Sequence, residues 1–233
     1  MTLFETIFTR RAVRKYDLTP LGDAALADIR AFLDETKPLD GQSARFEIVS
    51  ADKVKNAIAP HYIFAYCEPG DGAYANVGYM LQNADLYLQS NGYGSGWLGM
   101  AKPNEQDGDF CIMLAFGKTD VPPRRDVGEF KRLPVGDISN AENTIAQAAR
   151  LAPSAMNSQP WKLDFSDGKV TIRYFGRGVS KLILKKKLSK IGLGIVTRHV
   201  EVALLNEGKA IKAITPITDG KEFAIEVAYV EAK

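Results

Sequence analysis

Between Thr9 and Asp17 the chain reads TRRAVRKYD, which puts Arg10, Arg11 and Arg14 within one turn and a half of each other. A guanidinium is a rigid fork of donors that matches a phosphate, so such a cluster can seat an anion. It can equally be the solvated end of a helix, where cations meet the C-terminal dipole favourably. A second segment, LAPSAMNSQPWKLDF over residues 151–165, carries the Ser154 hydroxyl and the amides of Asn157 and Gln159 on a backbone stiffened by Pro153 and Pro160. Those donors and acceptors can read the edge of a heterocycle. The same residues also make an ordinary helix-to-strand connection with Trp161 as core. The third segment, SNGYGSGWLGMAKP over residues 90–103, holds Gly92, Gly94, Gly96 and Gly99, and permits close backbone approach to a flat or phosphorylated ligand. It has neither the spacing nor the strand-to-helix setting of a dinucleotide fingerprint, and the alternative is a flexible connection from helix to strand.

Other chemistries find little support. Two cysteines, Cys67 and Cys111, and two histidines, His61 and His199, are too few and too scattered for a zinc site or a disulfide framework. Cys111 lies in the apolar run FCIMLAF, where a thiol acts as a small hydrophobe, and His199 in VTRHVEVALL belongs to a helix face. No nucleophile, base and orienting acid fall into a triad pattern. The net charge of +2, with 45% hydrophobic and 25% charged residues, describes an ordinary globular chain that needs no nucleic acid or anionic membrane as partner. No run is long enough to span a bilayer, and the opening MTLFETIFTRRAVRKYD reads as an amphipathic helix and not as a secretory signal, so the cytoplasm is the expected compartment. The lysine-rich KLILKKKLSK reads as a half-buried segment with one solvated face.

The elements that position these segments come in two sets. VGYMLQNADLYLQSNGYG and IGLGIVTRHVEVALLNEG both read as helices closed by glycine, with Gly78 and Gly192, and Gly94 and Gly208, at one offset. Each is followed by an apolar run, DFCIMLAFG or EFAIEVAYV, that predicts a strand, with Pro103 and Pro216 ahead of them. Upstream, Pro38, Phe46 and Ile48 fall on Pro153, Trp161 and Leu163, and Arg10, Arg11, Val13, Tyr16 and Pro20 on Arg124, Arg125, Val127, Phe130 and Pro134. The pattern predicts two related halves, residues 1–123 and 124–233, each ordered helix, helix, strand, helix, strand. The expected fold is α+β, an α-β-α sandwich in which the helices over residues 74–91 and 190–207 pack together across a pseudo-twofold axis, as in a dimer interface.

These motifs resemble a known family. RRAVRKYD is similar to the arginine-rich opening motif of the nitroreductases, PSAMNSQPW to their Pro-Ser-x-x-Asn-x-Gln-Pro-Trp motif, and GYGSGWLG to their glycine loop with its tryptophan. Family members are homodimers that hold FMN at the interface, with the Pro-Ser motif of one subunit reaching the flavin of the other. Here the Pro-Ser motif sits in the second half, while its first-half counterpart, PLDGQSARF, and the second-half counterpart of the glycine loop, NEGKAIKA, have lost their motifs. The resemblance therefore implies one composite FMN site. Arg10, Arg11 and Arg14 would hold the phosphate, the backbone of Trp97, Leu98 and Gly99 would line the ring, and Pro153, Ser154, Ala155, Asn157 and Gln159 would reach the ring or ribityl chain from the second half. Ala12 stands where the family often has a flavin-contacting serine. The family's late phosphate-binding arginine matches Arg124 or Arg125.

The implied activity is an FMN-dependent oxidoreductase working by ping-pong, with NADH or NADPH as hydride donor and a small organic acceptor such as a nitro compound or quinone. FMN carries the redox step, so no catalytic acid or base is expected. The implied partners are small molecules alone, and the protein is expected to be a monomer acting as a pseudo-dimer. The alternative is a flavin-binding carrier or sensor without turnover, because no insertion walls the substrate side of the site.

Overall fold

The first helix, α1 (Leu3–Thr9), starts at a reciprocal cap. The Glu5 amide donates to Thr2 Oγ1 at 3.1 Å and the Thr2 amide to the Glu5 carboxylate at 2.8 Å. It stops at Arg10, whose extended backbone sends the arginine motif onward as a strand-like segment. Helix α2 (Asp23–Glu35) follows. In this computed structural model, which describes residues 1–105, 108–176, 187–219 and 222–232, the rest of the chain builds two antiparallel sheets.

The first sheet consists of β1 (Arg45–Ser50), β2 (His61–Tyr66), β3 (Gly94–Leu98) and β4 (Phe110–Gly117) in the order β1-β2-β4-β3. Between β2 and β3 runs the 20-residue helix α3 (Asp71–Ser90). After α4 (Thr144–Arg150), capped by Asn143 on the Ala146 amide at 2.8 Å, the second sheet repeats the order as β5-β6-β8-β7. Its strands are β5 (Trp161–Ser166), β6 (Lys169–Tyr174), β7 (Lys209–Asp219) and β8 (Glu222–Glu231), with the 20-residue α5 (Lys187–Asn206) between β6 and β7.

The fold is thus helices with antiparallel sheet, as expected, but each sheet holds twice the strands that the periodicity indicated. The missed strands have physical reasons to be missed. β2 is buried at five successive positions, so its sequence does not alternate. β3 is glycine-rich, and the residues read as a loop over 90–103 contain it. β6 is entered through Asp167-Gly168, a two-residue hairpin with Gly168 at φ 67°. The segment 181–186 of KLILKKKLSK lies outside the described residues.

Helices α3 and α5 lie side by side in the same direction. Lys190 pairs with Asp71 at 2.8 Å, Arg198 Nε donates to the Tyr79 carbonyl at 3.3 Å, and Gln82 meets His199 at 3.2 Å. Two glycines allow the approach: a Cβ on Gly78 would lie 2.0 Å from the Ile191 carbonyl oxygen, and one on Gly194 only 1.7 Å from that of Ala75. One hydrophobic core runs through both sheets, from Ile63 and Leu114 past Leu86 and Val200 to Ile172 and Ile225. The outer face of the first sheet has its own cluster, in which Val13 and Tyr16 cover Tyr62, Phe64 and Met113.

Candidate functional site

The extended segment after α1 lies along the free edge of β3. Ala12 pairs with Ser95 as a parallel bridge, and the Val13 amide donates to the Ser95 carbonyl at 2.9 Å. The glycines of β3 make this possible. A Cβ on Gly96 would sit 2.1 Å from Arg14 Nη1 and 2.4 Å from the Val13 carbonyl, and one on Gly94 would strike Thr119 at 2.7 Å. Gly94 and Gly96 therefore admit the chain's own arginine segment. Arg14 is held there, its two terminal nitrogens donating to the carbonyls of Val13 at 2.7 Å and Trp97 at 2.8 Å. Leu98 is half-buried, and Gly99 is exposed and faces Leu188 at 3.4 Å from its would-be Cβ.

Arg10 behaves differently. It is 2% exposed, and its Nε donates to Asp85 of α3 at 2.8 Å. The Asp85 carboxylate is saturated: it also accepts from Gln82 at 2.9 Å, Ser95 Oγ at 2.6 Å and Gln89 at 3.2 Å. Gln82 in turn accepts from the Trp97 indole at 3.2 Å and faces His199 Nε2. His199 Nδ1 lies 2.9 Å from the Ala148 carbonyl, which assigns the proton to Nδ1 and leaves Nε2 to accept from Gln82. Burial pushes the imidazole down to about 3, so it is neutral. The network joins α1, β3 and α3 to α4 and α5, and fixes Arg10 and Trp97 with respect to the second half.

On the other side of Arg10 lies the segment between the two sheets. The Arg124 amide donates to the Thr9 carbonyl at 2.7 Å, its guanidinium reaches the Arg10 carbonyl and lies 4.2 Å over the Phe130 ring. Arg125 is exposed, with its amide donating to Glu129, and Glu129 is paired with Arg11. Of the two arginines the sequence left open, Arg124 is the one beside Arg10. Arg132 was not anticipated. It donates to Asn157 Oδ1 and to the Leu151 carbonyl, and Asn157 Nδ2 donates back to the Lys131 carbonyl. Burial, then the charges of Arg10, Arg124 and Arg150, push the Arg132 guanidinium down to about 10. Arg124 is lowered too, by burial first and then by Arg10 and Arg11.

The Pro-Ser segment makes a turn with Met156, Asn157 and Gln159 all at positive φ, of 53°, 54° and 43°. Three non-glycine residues in the left-handed region within four positions is strain of a kind that concentrates at functional sites. The turn is pinned by the Gln159 amide on Ser154 Oγ at 2.9 Å and by the Leu133 amide on Gln159 Oε1 at 3.1 Å, while Met156 is 72% exposed. Pro153 and Ala155 are half-buried, and Trp161 is fully buried core. Across the described residues, buried side-chain nitrogens or oxygens without a partner are Arg10 Nη2, Arg11 Nε, Arg132 Nε, Ser158 Oγ, Trp161 Nε1 and Asn76 Nδ2. The three guanidinium nitrogens belong to the arginine cluster and Ser158 Oγ to the Pro-Ser turn, while Trp161 Nε1 lies in the core at the start of β5.

Residues 2–204 match the family model described as "Putative TM nitroreductase". The chain belongs to the nitroreductase family. Among solved structures it is similar to a putative nitroreductase from Thermotoga maritima, at 19% identity over 98% of this chain and 94% of that one, with a TM-score of 0.70. That likeness establishes the fold. A nitroreductase family protein from Clostridium difficile covers 61% of this chain and 99% of its own, at 16% identity and a TM-score of 0.48. A putative nitroreductase from Desulfovibrio desulfuricans, solved in complex with FMN, covers 57% and 98%, at 18% identity and a TM-score of 0.41. No curated protein matches the chain.

For this nitroreductase-family chain, sequence reasoning did not bring Arg132, Asp85, Gln82 and His199 to the candidate site, where the structure places them around Arg10, Trp97 and the Pro-Ser turn. Arg132 had a signal: it closes the segment that echoes the first arginine motif. The polar network had a fainter one, since Gln82, Asp85 and Gln89 recur at helical spacing on an otherwise apolar helix. Among the described residues, no group of three or more His, Cys, Asp or Glu could hold a metal, and no helix is long and apolar enough to cross a membrane.

Proposed function

We propose that the chain is an FMN-dependent oxidoreductase whose single flavin site is composite, built where the arginine segment of residues 1–123 meets the Pro-Ser turn of residues 124–233. The observation that carries this reading is the concentration of unpartnered buried donors on Arg10, Arg11 and Arg132 and on the adjoining turn. Buried guanidinium nitrogens without acceptors are costly unless an anion completes them. Together with family membership, they fit a flavin phosphate.

In this reading Arg10, Arg11, Arg124 and Arg132 hold the phosphate, and Asn157 keeps Arg132 in place. Ser154, Ala155 and Ser158 present hydroxyl and backbone groups to the ribityl chain and ring. Trp97, fixed by Gln82, and the backbone to Gly99 wall the ring. FMN, when bound, supplies hydride and electron transfer between NAD(P)H and a small organic acceptor. The protein contributes anion binding, orientation and exclusion of water, and no acid or base of its own. The repeated strand order and the matched helices α3 and α5 support the further reading that the two halves are a duplicated unit acting as a pseudo-dimer.

The test is an anaerobic spectral titration. Purified protein loaded with FMN should show flavin absorption that bleaches on adding NADH or NADPH and returns with a quinone or nitro compound. Bound flavin that neither nucleotide bleaches would replace the oxidoreductase with a carrier or sensor, and failure to bind FMN would remove the flavin reading altogether.

A further inference from the structure

A chain of buried groups ties the two sides of the candidate site together in a fixed order of donors and acceptors. It starts at Ala148 in the last turn of α4, the helix that runs into the Pro-Ser turn. The Ala148 carbonyl lies 2.9 Å from His199 Nδ1 on α5, and His199 Nε2 lies 3.2 Å from Gln82 Nε2 on α3. Gln82 Oε1 then accepts from the Trp97 indole of β3 at 3.2 Å. Ala148, His199, Gln82 and Asp85 are fully buried, so each polar group depends on the partner the fold gives it.

The direction of this chain is set from its second-half end. A carbonyl can only accept, so His199 carries its proton on Nδ1 and presents Nε2 as an acceptor. Gln82 must then turn its NH2 group toward His199. The same group donates its other hydrogen to Asp85 Oδ2 at 2.9 Å, which leaves Oε1 as the atom that faces the Trp97 N–H. Turned over, the amide would set Oε1 against a carboxylate and an imidazole lone pair, and its NH2 group against the indole N–H. Three buried contacts would be mismatched at once, each at the cost of desolvation without a partner. Asp85 grips Arg10 directly and keeps Ser95 and Gln89 as further donors, so the orientation of the Gln82 amide bears chiefly on Trp97. At the offset that sets Gly78 on Gly192, His199 falls on Asp85: the helix position that grips an arginine in one half orients an amide in the other.

We propose that Gln82 and His199 are positioning residues for the ring side of the flavin site: the second half, through the His199 imidazole, fixes the Gln82 amide and with it the Trp97 indole. This rests on the flavin reading given above, in which Trp97 walls the ring. The Pro-Ser turn follows one end of the chain of contacts and Trp97 forms the other, so neither half sets the spacing of the two walls alone.

The test combines nuclear magnetic resonance of the full chain with flavin titration. The protein has two tryptophans, and Trp161, whose buried indole nitrogen has no partner, serves as the internal reference. In the flavin-free wild type, the nitrogen spectrum of His199 should place its proton on Nδ1. Gln82→Met keeps the volume and removes the amide. It should move the Trp97 indole N–H signal, speed its exchange with deuterium about tenfold, and leave Trp161 in place. His199→Asn keeps a donor for Ala148 and takes away the group that faces Gln82. It should move the same Trp97 signal, and add nothing when residue 82 is already changed to methionine. Gln82→Met should weaken FMN and riboflavin alike, by roughly threefold to tenfold, because the phosphate cluster is untouched. Variants that lose stability but leave the Trp97 signal and both flavin affinities unchanged would show a merely structural pair and overturn the proposal. A His199 proton on Nε2 in the wild type would overturn it too, and decides even where a variant does not fold. Wild-type protein that binds neither flavin would bring down the flavin reading and the ring-wall role with it, whereas wild-type binding that Gln82→Met leaves unchanged overturns this inference alone.

Discussion

Two turns that the sequence set against each other, residues 38–42 and 153–159, are finished in different ways: the first is tied to β7, and the second to Arg132 and Leu133. At the first, residues 38–42 reach β7. Leu39 is buried, its amide donates to Asn76 at 2.8 Å, the Asp40 amide donates to the Ile214 carbonyl at 3.1 Å, and Thr215 Oγ1 donates to the Asp40 carboxylate at 2.7 Å. This junction is closed by packing and hydrogen bonds, with Asn76 Nδ2 as its one unpartnered buried donor among the described residues, and β7 carries Pro216 as edge strands tolerate. At the second, residues 153–159 meet the arginine cluster. There the backbone is held in the left-handed region, Met156 projects into solvent, and buried donors are left without partners. In the proposed reading the two turns do different work: one seals, and the other keeps polar groups ready for a ligand. Free energy given up at the second junction is offset by the shared core and the close α3–α5 contact.

The comparison can be broken at the network that holds the second junction in place. Asp85→Ala leaves the buried Arg10 guanidinium uncompensated, and should cost about 3–5 kcal/mol in urea unfolding. A change well under 1 kcal/mol would mean that Arg10 is free to turn to solvent and that the pair is not structural.

The two turns themselves should separate cleanly. Leu39→Ala, at 1% exposure, should lower stability by about 2–4 kcal/mol while FMN affinity is unchanged in protein that remains folded. Met156→Ala, at 72% exposure, should leave the unfolding midpoint where it is. Equal stability losses at both turns would erase the distinction between a sealed and a ligand-facing junction.

The smaller effect is a pH slope. His199 is depressed from 6.5 to about 3 by burial, so the unfolded chain takes up this proton first as the pH falls. Its contribution to stability is complete above pH 6.5 and declines below it at up to about 1.4 kcal/mol per pH unit, until the folded value is reached. His199→Gln should remove that part of the acid slope. Parallel wild-type and variant curves below pH 6.5 would show instead that His199 is charged in the folded protein.

How far the sequence carried these conclusions depended on the physics of each element. The long helices, the strands β4 and β8, and the motif residues of the candidate site were legible, because helical periodicity, glycine caps and apolar runs are local signals. β2 and β3 were not, since a strand buried on both faces does not alternate and a glycine-rich strand has no side chains to show a period. Within the candidate site, Arg10 stood out only as one of a cluster with Arg11 and Arg14, and Arg124 and Arg125 were left as alternatives. That Arg14 is occupied by the carbonyls of Val13 and Trp97, or that Asn157 grips Arg132, depends on contacts between residues far apart in the chain, which spacing alone does not encode.

The central claim is that the cluster around Arg132 receives the phosphate of a flavin. The most direct measurement is a fluorescence titration of wild type and Arg132→Ala with FMN and, in parallel, with riboflavin, which has the ring and ribityl chain but no phosphate. Loss of a charge-assisted hydrogen bond should weaken FMN binding about tenfold to a hundredfold, with riboflavin binding unchanged. An Arg132→Ala protein that binds FMN as tightly as wild type, or that loses riboflavin to the same degree, would contradict the assignment.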